Sequence, residues 1–300
     1  MRATGTAAML ATMLLLAGCS GAKTRPAPAG RASVNPRVHG ERPVASFRDD
    51  LNRPQSSRYR DGKDSVPPPI DVSKLPEPVP KVEPRSLYGN KSPYTVLGQT
   101  YRVLPSAGGY DERGIASFYG NKFHGYKTSS LETYDMYAFS AASTTLPLPS
   151  YARVTNLQNG KSVIVRVNDR GPFHDNRLID LSYAAAVKIG VWPKGTGLVE
   201  VRGIDPAHPG KELPAPVAVS SGHPGIYLQV GAFADAGNAE RLAQRLREAK
   251  LGAVQILDSV VNGRHVSRVR VGPLASVDRA DLVSRQIEGL GLPQPRVAVD

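Results

Sequence analysis

Between residues 114 and 203, short runs of alternating apolar and polar residues are separated by turns rich in glycine, proline and asparagine. The clearest run is Ser162–Asp169 (SVIVRVND), in which three valines fall on one face of an extended strand. Just before it, Asn159 and Gly160 form a dipeptide that favours a hairpin turn. This repeated alternation predicts a small all-β barrel or sandwich, interrupted by one helix in YAAAVKI.

The last part of the chain mixes strand-like and helix-like runs. IYLQVGAF, AVQILDS, RHVSRVRVGPL and RVAV read as strands, whereas residues 238–250 and 277–290 read as helices. We therefore predict a small α+β domain over residues 223–300, with its helices on one side of a sheet. The turn-rich composition of residues 205–222 predicts a linker that joins it to a β domain over residues 93–204.

The N-terminus has one early arginine and an apolar run over residues 7–17, followed by LAGC. The run is too short to cross a bilayer comfortably, so residues 1–18 are predicted to be a secretion signal. Cys19 is the only cysteine, which excludes an internal disulfide and a cysteine zinc cluster. Residues 19–92 contain PAPAG, VPPPI and LPEPVPKVEP without a sustained apolar period, and this composition predicts a long disordered tether.

The chain carries a formal net charge of +12. A secreted basic protein meets anionic wall polymer or lipid rather than nucleic acid, so no nucleic-acid partner is expected. The alternative is that the charge only solvates the tether. The sequence points to no metal and no cofactor.

The stretch VRVNDRGPFHDNRLIDLS contains three aspartates that differ in their expected surroundings. Asp169 keeps the parity of the buried valines and lies where Gly171 and the following proline break the strand, so it leans toward the apolar side at the lip of the domain. A partly desolvated carboxyl holds its proton to higher pH, as a general acid requires. The alternative is an aspartate that begins a turn. Asp175 is expected in a solvated loop, and Asp180 is expected to serve the start of the following helix.

A second group of candidates lies upstream, in a turn-rich region. Glu132 is either a second functional carboxylate or a solvated loop residue. Tyr119 and Phe123 belong to an aromatic cluster that offers rings for stacking on a sugar. Phe118 and Tyr119 fall on opposite faces of a strand, so at most one of the two is expected in the core. His124 is either a catalytic group or a loop histidine.

Several of these motifs together resemble the rare lipoprotein A family. They are GIASFYGNKFHGYKT, ETYDM and TLPLPSYARVTNLQNGKSVIVRVNDRGPFHDNRLIDLSYAAA, and the resemblance implies a six-stranded double-psi β-barrel. YLQVGAF and SRVRVGPL resemble a sporulation-related repeat (SPOR) domain, which implies binding to glycan strands stripped of their peptides. LAGC resembles a lipobox, which implies lipidation of Cys19 and anchoring to the outer membrane, facing the periplasm and enriched at the division septum.

The resemblance implies a lytic transglycosylase that cleaves peptidoglycan between N-acetylmuramic acid and N-acetylglucosamine and leaves an anhydro-muramic end, in wall remodelling and daughter-cell separation. By motif position, the two catalytic carboxylates are Asp169 and Glu132. We expect Asp169 to act as acid and base, and Glu132 to orient or stabilise the sugar. Peptidoglycan, the membrane and division-site proteins are the implied partners.

Two positions depart from the family pattern. TSSLE replaces the usual TANGE, which puts Leu131 where the family has a glycine, and Ser143 occupies the position of a family histidine. A serine cannot carry a proton as a histidine does at neutral pH, but it can still donate a hydrogen bond to support the site. A weakened enzyme is therefore expected, and the alternative is a non-catalytic wall-binding lipoprotein with an expansin-like barrel.

In the SPOR-like part, alternation separates a core face from a binding face. The core face of IYLQVGAF is expected to meet the helices. The opposite face is expected to present amide, aromatic and guanidinium groups suited to sugar hydroxyls and carboxylates, from Tyr227, Gln229, Arg268 and Arg270.

Overall fold

The computed structural model describes Tyr59, Ser65 and residues 67–208 and 224–300. The predicted signal (residues 1–18), the lipid-attachment residue Cys19, most of the predicted tether and most of the predicted linker lie outside these residues. Within the described residues, no helix combines the length and apolar character needed to cross a membrane.

Six strands close into a barrel, so the barrel alternative to a sandwich is confirmed. The strands are β3 (Asp111–Tyr119), β4 (Ser140–Ala142), β5 (Ser150–Asn156), β6 (Ser162–Asp169), β7 (Ile179–Ser182) and β8 (Gly197–Ile204). Their order around the barrel is β3-β7-β4-β6-β5-β8, and the pairs β3·β7 and β4·β6 are parallel while the other pairs are antiparallel. This is the predicted double-psi barrel.

Local sequence signals explain how the barrel is connected. The three valines of β6 are buried in the core, as their parity predicts. Gly160 has a φ of 71° in the turn that joins β5 to β6, a conformation that glycine adopts without strain. Helix α1 (Tyr183–Ile189) begins at Ser182, whose hydroxyl accepts from the backbone N–H of Ala185, and ends at Gly190 in the left-handed conformation.

Residues 67–105, which we call the strap, lie against the barrel. Ile70, Val72 and Leu75 pack on its core, and the backbone N–H of Ile164 in β6 donates to Glu77 Oε2 at 3.0 Å. The strap also contains a short hairpin of β1 (Tyr94–Val96) and β2 (Gln99–Tyr101).

The strap corrects the predicted disorder of the tether over residues 67–92. The apolar residues of the strap follow no strand or helix period. Each one packs separately against the surface of the barrel, so their spacing is set by the barrel and not by a regular element of the strap. Periodicity detects segments that form their own buried face, and a strap of this kind has none.

The C-terminal domain is a four-stranded antiparallel sheet with two helices. Its elements are β9 (Ile226–Phe233), α2 (Ala236–Glu248), β10 (Val254–Val261), β11 (Arg264–Leu274), α3 (Val277–Gly289) and β12 (Arg296–Val299). The strand order is β10-β11-β9-β12. Ile226, Leu228 and Val230 of β9 share a core with the buried faces of the helices, as predicted.

Candidate active site

Asp169 ends β6 and is half-buried at the lip of the barrel. Its Oδ1 accepts hydrogen bonds from the backbone N–H of Ser129 at 2.8 Å, from Ser129 Oγ at 2.7 Å and from the backbone N–H of Arg170 at 2.8 Å. Directed donors of this kind fix the orientation of the carboxyl group. Two of the three come from the loop that also carries Glu132, so this loop and the end of β6 are held together.

Glu132 lies beside the same end of β6. Its Oε2 accepts from Arg166 Nη1 at 2.5 Å and from Asn168 Nδ2 at 2.9 Å, both on β6. The side chain remains 39% exposed, so the carboxylate is fixed by two donors and is still open to a ligand. The structure thus brings the two predicted carboxylates to one end of one strand.

The loop that carries Glu132 keeps its turn although the family's glycine is missing. Leu131 adopts a φ of 64°, in the left-handed region, and Thr128 donates its backbone N–H to the carbonyl of Glu132 at 2.8 Å. A left-handed conformation costs a residue with a Cβ roughly 1–2 kcal/mol. Leu131 therefore holds a left-handed conformation at the cost of local strain, in a loop that places the Glu132 carboxylate beside β6.

Ser143 is buried, and its hydroxyl and its own N–H both bond to backbone groups. Its Oγ accepts from the backbone N–H groups of Thr145 at 3.3 Å and Leu146 at 3.1 Å, and its own N–H donates to the carbonyl of Asp169 at 3.1 Å. It therefore holds the β4 end next to Asp169 through main-chain contacts, and its hydroxyl stabilises the turn that follows β4.

Asp180 is the site neighbour that the sequence reasoning missed. It lies in β7, ahead of the Ser182 cap, and Ala142 of β4 pairs with Asp169 on one side and with Asp180 on the other. Ser117 Oγ donates to Asp180 Oδ1. Burial raises the pKa of Asp180, and the charge of Asp169 adds to that effect. The alternation of apolar Ile179, charged Asp180 and apolar Leu181 is typical of a strand, and this alternation could have placed Asp180 in β7 instead of at the start of the helix.

Arg170 connects the strap to the turn that follows β4. Its Nε donates to the carbonyl of Gly89 at 2.6 Å, its Nη2 to Asn90 Oδ1 at 3.2 Å, and its Nη1 to the carbonyls of Ser143 and Leu146 at 2.8 and 2.5 Å. Three carbonyls and an amide oxygen thus surround one guanidinium. Burial lowers the pKa of Arg170 from its ordinary value.

The aromatic predictions have different outcomes. Tyr119 is 8% exposed and stacks on Tyr134 with ring centroids 4.1 Å apart, so its proposed role in stacking on a sugar is wrong. Strand parity separates the two faces of β3, but the loop that follows β3 covers the face on which Tyr119 lies. Phe123 is half-buried, and its ring lies edge-on to Tyr59 at 4.9 Å.

His124 is a loop residue with a structural role. Its Nδ1 accepts from the backbone N–H of Met136 at 3.2 Å and lies 3.7 Å from Asp135 Oδ1. Among the described residues, no hydrogen bond or ion pair joins His124 to Glu132 or Asp169.

The four predicted glycan-binding residues of the C-terminal domain lie on the sheet face that the helices leave open, and all are partly exposed. The Arg270 guanidinium lies 3.9 Å from the centroid of the Tyr227 ring, and Gln229 is its register partner. Arg268 Nη1 donates to Ser259 Oγ at 3.0 Å. The face therefore combines an aromatic ring, an amide and two guanidinium groups in one continuous patch.

Comparisons with known proteins agree with this two-domain architecture. Residues 111–202 match the family model described as lytic transglycolase, and residues 222–294 match the SPOR domain model. The endolytic peptidoglycan transglycosylase RlpA of Pseudomonas aeruginosa (strain UCBPP-PA14) is 42% identical over 278 residues, covering 75% of this chain and 81% of the relative. The chain belongs to the RlpA family.

Other RlpA proteins are similarly related to this chain. RlpA of Vibrio cholerae serotype O1, also named an endolytic peptidoglycan transglycosylase, is 42% identical over 235 residues, covering 78% of this chain and 86% of the relative. The crystal structure of the RlpA SPOR domain from Pseudomonas aeruginosa is 38% identical and covers 25% of this chain and 97% of that chain, with a TM-score of 0.24.

Proposed function

We propose that this chain is an endolytic peptidoglycan transglycosylase that cleaves the bond between N-acetylmuramic acid and N-acetylglucosamine and forms an anhydro-muramic end. The observation that carries the proposal is the pair Asp169 and Glu132, each fixed by directed donors at one end of β6. The pair occurs in a chain that is 42% identical to proteins named for this activity.

A sparse site suits this reaction. Ordinary glycosidases use two carboxylates because water or the enzyme attacks the oxocarbenium-like centre. In a lytic transglycosylase the primary hydroxyl of the muramic acid attacks instead, and its high effective molarity replaces an external nucleophile.

Each carboxylate then has one role. Asp169 protonates the leaving glycosidic oxygen and afterwards accepts the proton of the attacking hydroxyl. Glu132, held by Arg166 and Asn168, orients the sugar and stabilises the positive charge that develops at the anomeric carbon.

The C-terminal domain binds glycan strands that have lost their peptides. Bare strands expose hydroxyls and the carboxyl of the muramic lactyl group, and the open sheet face offers the Tyr227 ring, the Gln229 amide and the Arg268 guanidinium. Arg270 is ion-paired with Asp300 and lies against the Tyr227 ring. Lipidated Cys19 anchors the protein to the outer membrane on its periplasmic side, and the glycan preference enriches it at the septum beside division-site proteins.

The first experiment tests catalysis. The full chain in detergent is incubated with denuded peptidoglycan, and anhydro-muramic ends are counted by mass spectrometry. We expect wild type to produce them and Asp169→Asn to reduce their rate by about 10²–10⁴-fold, the usual contribution of a positioned acid and base.

Asp175→Asn is the matched control, because it makes the same substitution at an exposed loop residue of the same segment. Equal and negligible product from wild type and Asp169→Asn would contradict catalysis and favour a wall-binding protein, a role to which Ser143 in place of the family histidine would be suited.

A further inference from the structure

The Arg166 guanidinium lies between two carboxylates from different parts of the chain. Its Nε and Nη2 donate to Glu83 Oε1 and Oε2, both at 3.0 Å, and its Nη1 donates to Glu132 Oε2 at 2.5 Å. The two carboxylates raise the pKa of Arg166 despite the opposing effect of burial, so the group stays cationic. Glu83 therefore occupies the Nε–Nη2 edge of the guanidinium, and Glu132 is bound through Nη1.

Glu83 is itself held in place. The hydroxyl of Tyr151 in β5 donates to its Oε1, and the hydrogen bonds from Arg166 lower the pKa of Glu83. The strap is fixed on both sides of this residue, by the bond from the Ile164 N–H to Glu77 and by the bond from the Ser86 N–H to the carbonyl of Leu148. The side chain is 19% exposed, which leaves little room for another rotamer.

We infer that Glu83, a strap residue outside the barrel strands, is a positioning residue for Glu132 and acts through Arg166. The inference rests on the proposed function, in which Glu132 contacts the sugar. It adds Glu83 to the residues that support the site, although the composition of the strap resembles that of a linker. A bidentate pair with Glu83 fixes the plane of the guanidinium, because two parallel N–H···O bonds define its orientation.

Loss of the Glu83 charge has a predictable consequence. Arg166 becomes free to turn the same fork toward Glu132, which would then hold both of its oxygens against the guanidinium instead of offering one to the substrate. A displacement of about 1 Å in such a group can lower the rate by roughly 10²-fold. We expect kcat to fall while KM changes little, because the sheet face of the C-terminal domain still binds the glycan.

The test compares Glu83→Gln with Glu77→Gln in the full chain in detergent, with denuded glycan strands as substrate. Both variants change a strap glutamate to its isostere, but Glu77 accepts from a β6 backbone N–H and makes no contact with Arg166 among the described hydrogen bonds. We expect Glu83→Gln to lower kcat by about 10–100-fold and Glu77→Gln to leave it within twofold of wild type. Equal kcat values for the two variants at equal melting temperatures would overturn the inference.

A double-mutant cycle separates positioning from a general structural effect. Arg166→Lys keeps the charge but cannot form the fork, so Glu83→Gln should cost little more in that background. If Glu83→Gln lowers kcat by the same factor in both backgrounds, it does not act through Arg166 and the inference fails.

A readout that needs no catalysis distinguishes this inference from the proposed function. Solvent exchange of the Arg166 Nε proton, followed by NMR, should be slow in wild type and in Glu77→Gln and at least tenfold faster in Glu83→Gln. Fast exchange in wild type would overturn the inference whatever the activity. A wild type that makes no anhydro-muramic ends but protects this proton would overturn the proposed function, and with it the catalytic consequence, while the Glu83–Arg166 contact stands.

Discussion

At the scale of single residues, the site depends on positions that look unsuited to their surroundings. Leu131 takes a left-handed φ of 64°, and Asp180 places a carboxyl between two buried apolar residues of β7. Both conflict with local preference, and both lie beside the candidate carboxylates. An unfavourable conformation or a buried carboxyl is retained where contacts from the surrounding structure fix the backbone at that position.

Leu131 gives a test of the left-handed turn. We expect Leu131→Gly to be more stable than Leu131→Ala by about 1 kcal/mol, because glycine removes the strain of roughly 1–2 kcal/mol while its own entropy cost offsets part of the gain. Urea unfolding followed by the fluorescence of Trp192, the only tryptophan, reports on the barrel. The opposite order of the two variants would show that the loop avoids the left-handed conformation.

Asp180 gives a test of pH dependence. A carboxyl whose pKa is raised on folding binds more protons in the folded state, so wild-type stability falls as the pH rises from the ordinary value of 3.8 through the raised one. We expect Asp180→Asn to gain stability relative to wild type between pH 4 and pH 7, as measured by unfolding at each pH. Asp175→Asn corrects for the change in net charge, and a gain equal to that of the control would contradict the burial of Asp180.

At the scale of elements, the strap contributes residues that contact the arginines beside the candidate carboxylates. Strap residues bind two arginines, Arg166 in β6 and Arg170 directly after it. Glu83 pairs with Arg166, and Gly89 and Asn90 accept hydrogen bonds from Arg170. These arginines in turn contact Glu132 and the main chain around Ser143. The strap is therefore part of the structure that positions the carboxylates.

Asn90 shows how the strap is attached. Its side-chain amide donates to the carbonyl of Leu148 at 2.6 Å and accepts from the Leu148 N–H at 2.8 Å, as a neighbouring strand would. We expect Asn90→Ala to lower the free energy of unfolding by about 1–3 kcal/mol, because it leaves backbone groups without partners. Exposed Lys91→Ala is the control, and equal unfolding midpoints in urea for the two variants would contradict the attachment.

At the scale of the whole molecule, the candidate carboxylates and the candidate glycan-binding patch belong to different domains. The carboxylates lie at the end of β6, and the candidate glycan-binding patch lies on the open face of the four-stranded sheet. The barrel folds around one apolar cluster, and the cluster beneath the four-stranded sheet also includes Ile115, Leu157 and Leu198 of the barrel domain. The candidate carboxylates and the patch lie on different elements, so we expect substitutions on one surface to leave the chemistry of the other intact.

The separation of domains predicts a selective loss. Tyr227→Ala should reduce retention of the full chain on denuded sacculi by about fivefold, since it removes the ring that lies against Arg270 and a stacking surface of roughly 1 kcal/mol. Cleavage of short soluble strands at saturating concentration should not change. A pull-down that includes exposed Arg264→Ala, at the distant end of β11, measures the general effect of surface charge. Equal retention of both variants would remove Tyr227 from the binding surface.

The sequence alone determined the elements that have a period or a motif. The valines of β6, the Asn159-Gly160 hairpin, the cap at Ser182 and the alternation in β9 each carry their cause within a few neighbouring residues, so local reasoning could predict them. The resemblance to family motifs then predicted the two candidate carboxylates, which no period could distinguish from turn residues.

Only the tertiary structure decided how distant segments complete the site. Glu83 meets Arg166 across 83 positions of sequence, Asp180 approaches Asp169 through Ala142 on a third strand, and Tyr119 is covered by a loop that follows it. These contacts depend on which strands lie side by side in the closed barrel. The physical reason is that a hydrogen bond or a buried face is specified by both partners, and a single stretch of sequence contains only one of them.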